Sequence, residues 1–343
     1  MKAFAVLGGT ALVLLILWEI LETMIVPRTA MHAWRPTASY YRLLGRIKSG
    51  VVHQISSLGI HESLLAAFGP VSLLLLVGLW SGTLILAFAA IQWGIGTHLE
   101  GAKTTGFDEF VYFSGTCFFT LSLGDLSPAQ GPGRTLSVVE AGLGFGLLAA
   151  VIGYLPTLYQ SFSNREAFIV RLESRCGGVI DGLALIGHFL RHNDTEGLAQ
   201  ELRAFEVWSA ELAETTESYP MLAFYRSQHS TRSWVGLLVA GMDACVALQL
   251  PAEPPWPPRL MNQAEASFRM GRRALDVVSA TLRREPKPSD RRSPVFEKLQ
   301  RCLGEAGIAV EENEANRQTM WELGAQFEPQ AIGLARFLAL ELP

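Results

Sequence analysis

Three long apolar runs dominate the first half of the chain. Residues 3–18, AFAVLGGTALVLLILW, carry no charge, and the run continues to Val26 with only Glu19 and Glu22 interrupting it. Residues 71–95, VSLLLLVGLWSGTLILAFAAIQWGI, carry none, and residues 135–162 carry only Glu140. At about 1.5 Å rise per residue, each run can cross a hydrocarbon core of about 30 Å, so the pattern predicts three membrane-spanning helices. A cleaved secretory signal is the weaker reading of the first run. Its basic region is a single Lys2, the apolar stretch exceeds about 20 residues, and no A-x-A-like site follows.

After Phe162 the period changes. Apolar residues recur at three and four spacing through 163–343, β-branched alternation is lacking and prolines mark the breaks, which predicts a helical domain. Within it, PAEPPWPP at 251–258 reads as a stiff connector and RREPKPSDRRSP at 283–294 as a charged, mobile loop. No internal repeat is found. The fold class expected is an all-α membrane protein.

Charge orients this arrangement. Arg28, Arg35, Arg42, Arg46 and Lys48 lie between the first two spans, whereas the stretch from 96 to 134 has only Lys103 and Arg134. The positive-inside bias puts the 27–65 loop in the cytoplasm, the N-terminus and the 96–134 segment outside, and everything after Phe162 in the cytoplasm. Arg165, Arg171 and Arg175 agree. The 27–65 loop carries Tyr40, Tyr41, Leu43, Leu44, Ile47, Val51 and Val52 among its cations, the mix of a helix lying on the membrane surface; a solvated linker is the alternative.

Composition narrows the chemistry. A 343-residue chain that is 49% hydrophobic is not an ordinary soluble enzyme. The net charge of −4 and the absence of a basic tract argue against a nucleic-acid partner. Cys117, Cys176, Cys245 and Cys302 are scattered without metal-ligand or CxxC spacing and read as apolar filler. No strand precedes a Gly-rich turn, and the one glycine cluster, GLGFG at 142–146, falls inside the third span, so no nucleotide site and no cofactor is expected. No nucleophile–base pair or carboxylate dyad stands out, so no enzyme is expected either.

The segment GFDEFVYFSGTCFFT at 106–120 is aromatic and opens with Asp108 and Glu109, which suit the positive end of a helix dipole. At about 13 residues it is too short to span. A short helix that enters the membrane and returns accounts for it, and the returning TLSLGDLSP should line water, because non-helical backbone at that depth needs protein or water around it.

Thr120-Leu121-Ser122-Leu123-Gly124-Asp125 resembles the potassium-channel filter signature T-V-G-Y-G-D. The order of elements also resembles that family's two-transmembrane pore-loop core, found in bacterial proteins of this kind. The resemblance implies an outer helix at 71–95, a pore helix at 107–119 and an inner helix at 135–162. It further implies ion ligands from Thr120, Leu121, Ser122, Leu123 and Gly124, an acidic outer mouth at Asp125, and a homotetramer with no cofactor beyond the permeant cation, potassium. The domains expected are then a first transmembrane helix (1–26), a basic cytoplasmic or interfacial linker (27–65), a pore domain (66–162) and a cytoplasmic helical domain (163–343) whose ligand the sequence does not name. Two positions depart from the family. Ser122 stands where a glycine takes positive φ freely, so either Ser122 is strained or the carbonyls are arranged differently. Leu123 replaces a tyrosine that anchors the filter wall.

Other residues carry alternatives. Glu140, the only ionisable group of the third span, either reaches behind the filter as its support or snorkels to the interface. Gly142, Gly144 and Gly146 serve helix packing or, with Gly153 and Pro156, gating; Gly146, Gly153 and Pro156 are the hinge candidates. Glu19 and Glu22 are expected to pair with Arg28 or Arg35. Tyr219, Arg226, His229 and Arg232 form a candidate anion site in the C-terminal domain, against the reading of satisfied surface residues. The function expected is a multi-pass inner-membrane cation channel, potassium-selective or weakly selective. The alternatives are a non-conducting membrane-anchored signalling or scaffold protein, and a membrane enzyme or transporter using Glu140.

Overall fold

A computed structural model describes residues 1–24, 40, 44, 58–104, 106–129, 131–178, 180–227, 233–282, 286–287, 294–338, 340 and 342. The linker cations from Arg28 to Lys48, the part of the 27–65 surface-helix reading before Leu58 apart from Tyr40 and Leu44, His229, Arg232 and most of 283–294 fall outside the described residues, whereas residues 58–65, expected in the linker, belong to the helix that runs on to Ile95. Lying with them are Arg28 and Arg35, the expected partners of Glu19 and Glu22.

The chain is an all-α membrane protein. Among the described residues the α-helices are α1 (Lys2–Met24), α2 (Leu58–Ile95), α3 (Phe107–Phe118), α4 (Gly131–Arg175), α5 (Gly182–Leu190), α6 (Thr195–Ser218), α7 (Trp234–Ala247), α8 (Pro258–Leu282), α9 (Pro294–Gly304), α10 (Glu314–Gly324) and α11 (Glu328–Leu338). Three of them, at Lys2–Met24, Phe68–Ile95 and Gly131–Arg175, are long and apolar enough to cross a membrane. The only paired strands described are two-residue β1 (Leu99–Glu100) and β2 (Ser127–Pro128), antiparallel, which the apolar pattern did not announce. Contacts divide the chain into two compact units, one of Met1–His61 with Pro70–Tyr159, the other of Glu62–Gly69 with Gln160–Pro343.

In the first unit, helix pairs form where small residues open space. A side chain at Gly9 would meet the Ala87 carbonyl and Ile91, and one at Gly94 would meet Val6 and the Lys2 carbonyl, so α1 lies antiparallel along α2. On α2 the buried stripe Leu73, Leu76, Trp80, Leu84, Ala87 and Ile91 follows the three/four period, while Leu74, Leu75, Leu79 and Leu86 are exposed. An outward apolar face of this kind suits lipid or another apolar surface in a membrane. Tyr40 donates to the Ser72 carbonyl at 2.7 Å, tying the described part of the linker to α2.

The second unit is a helical bundle around α7. Trp234, Val235, Leu237, Leu238, Met242 and Cys245 are all fully buried, which explains why so short an apolar helix is a core element and not a span. α6 lies along α8, and α5, α10 and α11 pack on α7. Caps start the helices: Asp181 accepts from Leu183 N–H at 2.9 Å, Asp194 from Gly197 N–H at 2.8 Å, and Ser233 from Gly236 N–H at 3.0 Å. The Pro-rich connector is held down by Trp256 Nε1, which donates to the Leu250 carbonyl at 3.0 Å, and by a bridge between Glu253 and Ala309.

Arg165, at the head of this unit, is buried and donates to the carbonyls of Leu222 at 3.1 Å and Tyr225 at 2.8 Å while pairing with Glu166 at 3.2 Å. Arg171 and Arg175 both meet buried Glu201, at 3.0 and 2.6 Å. The three arginines counted for topology are therefore also structural.

Candidate pore loop

The first question is how a short helix comes to sit between two spans. β1 precedes it, β2 follows the return strand, and the two pair through Leu99↔Pro128 and Glu100↔Ser127. The Ala129 N–H donates to the His98 carbonyl at 2.9 Å beside them. The excursion from 101 to 126 therefore begins and ends at the same place, the geometry of a re-entrant segment. Its helix, α3, has 12 residues and a length of about 18 Å, well short of a bilayer core. Phe110 and Phe113 bury with Ala89, Leu99 and Leu126, and Trp93 meets Phe107 edge-on at 6.1 Å. The aromatic residues thus seat α3 against α2 and β1. Asp108 and Glu109 occupy its first turn, beside the exposed N–H groups.

α3 stops at Phe118, one residue before the expected end, because Thr120 turns left-handed with φ 53°. Thr120 N–H bonds the Cys117 carbonyl at 3.1 Å and Leu121 N–H the Thr116 carbonyl at 2.9 Å, the paired bonds of a Schellman end. Positive φ then recurs at every second residue: 53° at Thr120, 51° at Ser122 and 74° at Gly124. Of the two alternatives left by the sequence, Ser122 adopts the left-handed conformation, at a cost of roughly 1–2 kcal/mol, and β-branched Thr120 does so too. All of Thr120–Asp125 is exposed on the single chain, Leu121 at 55% and Leu123 at 61%.

The outer end of the return strand has a polar anchor that sequence reading missed. The Tyr112 hydroxyl donates to Asp125 Oδ2 at 2.8 Å. Gly101, at φ 87°, lets β1 approach so closely that any side chain there would strike the Asp125 carbonyl. Tyr112 is the one phenol among the phenylalanines of α3, and that was the available signal.

Behind α3 lies a buried polar cluster. Glu140 is fully buried, and its Oε1 is hydrogen-bonded to Ser114 Oγ on α3, not to the filter backbone; Ser114 Oγ also contacts the Ile85 carbonyl of α2 at 2.8 Å. Gln92, also fully buried, donates to the Gly133 carbonyl at 3.1 Å and accepts from Thr97 Oγ1 at 2.6 Å, bridging the end of α2 to the start of α4. Neither Ser114 nor Gln92 was singled out from the sequence, because a serine or glutamine in an apolar run has no spacing signature.

The inner helix begins at Gly131, four residues before the apolar run does, and continues through Pro156 to Arg175. Gly144 packs directly on the end of α3: a side chain there would collide with the Phe118 carbonyl. Gly142, Gly146 and Gly153 have nothing within 4 Å of an added Cβ. Pro156 lacks the N–H that the Ile152 carbonyl would otherwise receive, so one rung of the helix is missing there. Val138, Phe145, Ile152 and Tyr159, spaced by seven, are all exposed. In the second unit Tyr219 closes α6, its N–H bonding the Thr215 carbonyl at 2.7 Å. Among the described residues no group of three or more His, Cys, Asp or Glu is placed to hold a metal.

These features define the class: a membrane protein in which a short helix and an extended return segment, closed off by β1 and β2, lie between two apolar spans. Residues 73–161 match a family model described as Ion channel, an interval that opens inside α2, closes inside α4 and takes in α3 and Thr120–Asp125. The match covers roughly a quarter of the chain and supports an ion-channel role for that part. The chain is also similar to the "Uncharacterized membrane protein YdjJ" of Bacillus subtilis (strain 168), at 23% identity over 186 residues. That alignment covers 53% of this chain and 53% of the relative, so the chain spans about half the length of the relative it matches. No solved structure matches.

Proposed function

We propose that this protein is a homotetrameric channel for monovalent cations, potassium among them, in the inner membrane. The N-terminus lies outside and residues 163–343 form a cytoplasmic domain. The domain division is that of the sequence: 1–26, 27–65, a pore domain over 66–162, and 163–343.

The observation that carries this reading is the positive φ at Thr120, Ser122 and Gly124. Along a uniform strand successive groups point to opposite faces. Reversing the hand at every second residue brings successive carbonyls to one side, which is what a ladder of ion ligands needs. One chain supplies one such ladder, and a closed pore needs several around an axis. The exposure of Thr120–Asp125 on the single chain fits partners that cover it. The C-terminal end of α3, whose dipole favours a cation, abuts the ladder at Thr120. In this reading Thr120, Leu121, Ser122, Leu123 and Gly124 hold the ion, Asp125 concentrates cations at the mouth, Glu140 supports the assembly from behind, and Gly146, Gly153 and Pro156 absorb the gating bend.

Reconstitution into liposomes with separate potassium, sodium and chloride gradients tests it. Potassium flux without chloride flux is the expected result. A folded tetramer that passes no ion in any gradient refutes conduction and leaves the second reading, a signalling or scaffold protein that keeps the pore fold. That reading draws on the strained Ser122 and on exposed Leu123, whose side chain offers no polar anchor.

A further inference from the structure

The cluster behind α3 contains a hydrogen-bond count that does not close with an ionised carboxylate. Ser114 Oγ lies within hydrogen-bond distance of two oxygens, the Ile85 carbonyl and Glu140 Oε1. A hydroxyl has one proton to give. The Ile85 carbonyl can only accept. If Glu140 were ionised it too could only accept, and one of the two short contacts would set lone pair against lone pair. A proton on Glu140 removes the conflict: the carboxyl donates to Ser114 Oγ, and Ser114 donates to Ile85.

The surroundings agree. Glu140 is fully buried, and among the described residues its second oxygen, Oε2, has no hydrogen-bond partner. Ser114 and Cys117 of α3 lie beside it, with the Ile85 carbonyl of α2 beyond Ser114, and among the described residues no cation pairs with it. A buried carboxylate with neither a cation nor a second donor is unfavourable at membrane depth, whereas a neutral acid that donates is tolerated.

We propose that Glu140 is a neutral, proton-donating carboxylic acid. Its chain through Ser114 to the Ile85 carbonyl ties inner, pore and outer helices into one node and so fixes the seat of α3 beneath the return strand. Glu140 is then a positioning residue: it touches no ion, and it acts through α3. This rests on the channel reading only for its effect on flux; the proton assignment stands without it.

Two measurements on the full-length protein in liposomes test the node. The first is infrared spectroscopy at neutral pH. The difference between wild type and E140Q should contain the carbonyl stretch of a protonated carboxylic acid; a carboxylate band in its place overturns the assignment. The second is a flux series. Glutamine keeps a donor and a similar shape, so the conservative variant E140Q should retain potassium flux and selectivity. E140L and S114A, which break the chain, should each lower selectivity by about tenfold, the scale set by leaving a buried polar group unpaired, and the double variant should be no worse than either. Loss of flux in E140Q as complete as in E140L, with both tetrameric, would mean that the charge matters and would refute the proposal, as would an E140L variant indistinguishable from wild type. If wild type itself passes no ion the channel reading fails, and the infrared band still decides whether Glu140 carries its proton.

Discussion

The Tyr112 hydroxyl meets Asp125 Oδ2 at 2.8 Å, so α3 is fastened to the far end of the strand that it introduces. The strand is thereby held at both ends, by the Schellman turn at Thr120 and by the phenol at Asp125. Leu123 itself, exposed on the single chain, has no polar group with which to anchor the strand, and the hydrogen bond from α3 comes from Tyr112.

That fastening gives the first prediction. Y112F should lower the potassium-to-sodium flux ratio while leaving total flux within a few fold, because it frees the strand without removing a charge. D125N should reduce cation flux by about tenfold at low ionic strength. The deficit should shrink toward 1 M salt, where screening acts over about 3 Å. The side chain introduced by D125N keeps an amide oxygen able to accept from Tyr112, so combining the two should add the loss of selectivity to the loss of flux. Tracer flux across a salt series checks all three.

Ser122 at φ 51° and Thr120 at φ 53° define a second test. Glycine reaches this conformation without the Cβ penalty, so S122G should stabilise the folded pore loop by roughly 1 kcal/mol per chain. S122V, with a β-branched side chain in the same place, should destabilise it by a comparable amount or more. The readout is thermal unfolding of the detergent-solubilised protein; an S122G protein less stable than wild type would mean that the Ser122 hydroxyl is held by a partner subunit.

The glycines of the inner helix, a single cluster in the sequence, separate in the structure. G144A drives a methyl group into the Phe118 carbonyl and should displace the end of α3, at about 1–3 kcal/mol for overpacking, with loss of selectivity. G146A meets nothing within its own chain. It should be nearly neutral for folding of the subunit, so any effect on flux would report on bending or on a neighbouring chain. Circular dichroism melts alongside flux distinguish the two.

Much of this architecture was legible in the residue pattern. The three spans follow from uncharged runs, and the re-entrant helix from an aromatic segment too short to cross, because length and polarity are set by the bilayer and not by tertiary detail. The places where reading stopped are pairings. That Ser114 rather than the filter backbone would receive Glu140, or that Gln92 would tie Gly133 to Thr97, depends on the rotation of α2, α3 and α4 about their axes, which apolar runs without an amphipathic stripe do not encode. α7 was legible only as part of a helical 163–343; that it is the enclosed centre of that unit depends on the packing of α5, α8, α10 and α11 on it.

Tyr225 offers a test in the second unit. Its ring lies over Gly69, where a Cβ would come within 2.6 Å of it, and stacks obliquely on Phe162 at 5.8 Å; burial pushes its phenol up to about 12. The neutral form is the one burial favours, so the folded chain holds this proton more tightly than the unfolded chain, whose tyrosines titrate near 10. Its contribution to stability is therefore fully present below pH 10 and is lost as the pH rises from 10 through about 12. Wild type should lose melting temperature across that window, and Y225F, which keeps the ring but has no proton to lose, should lose less. Parallel melting curves of wild type and Y225F from pH 8 to pH 12 check this; identical slopes would show that the phenol reaches water in the folded state.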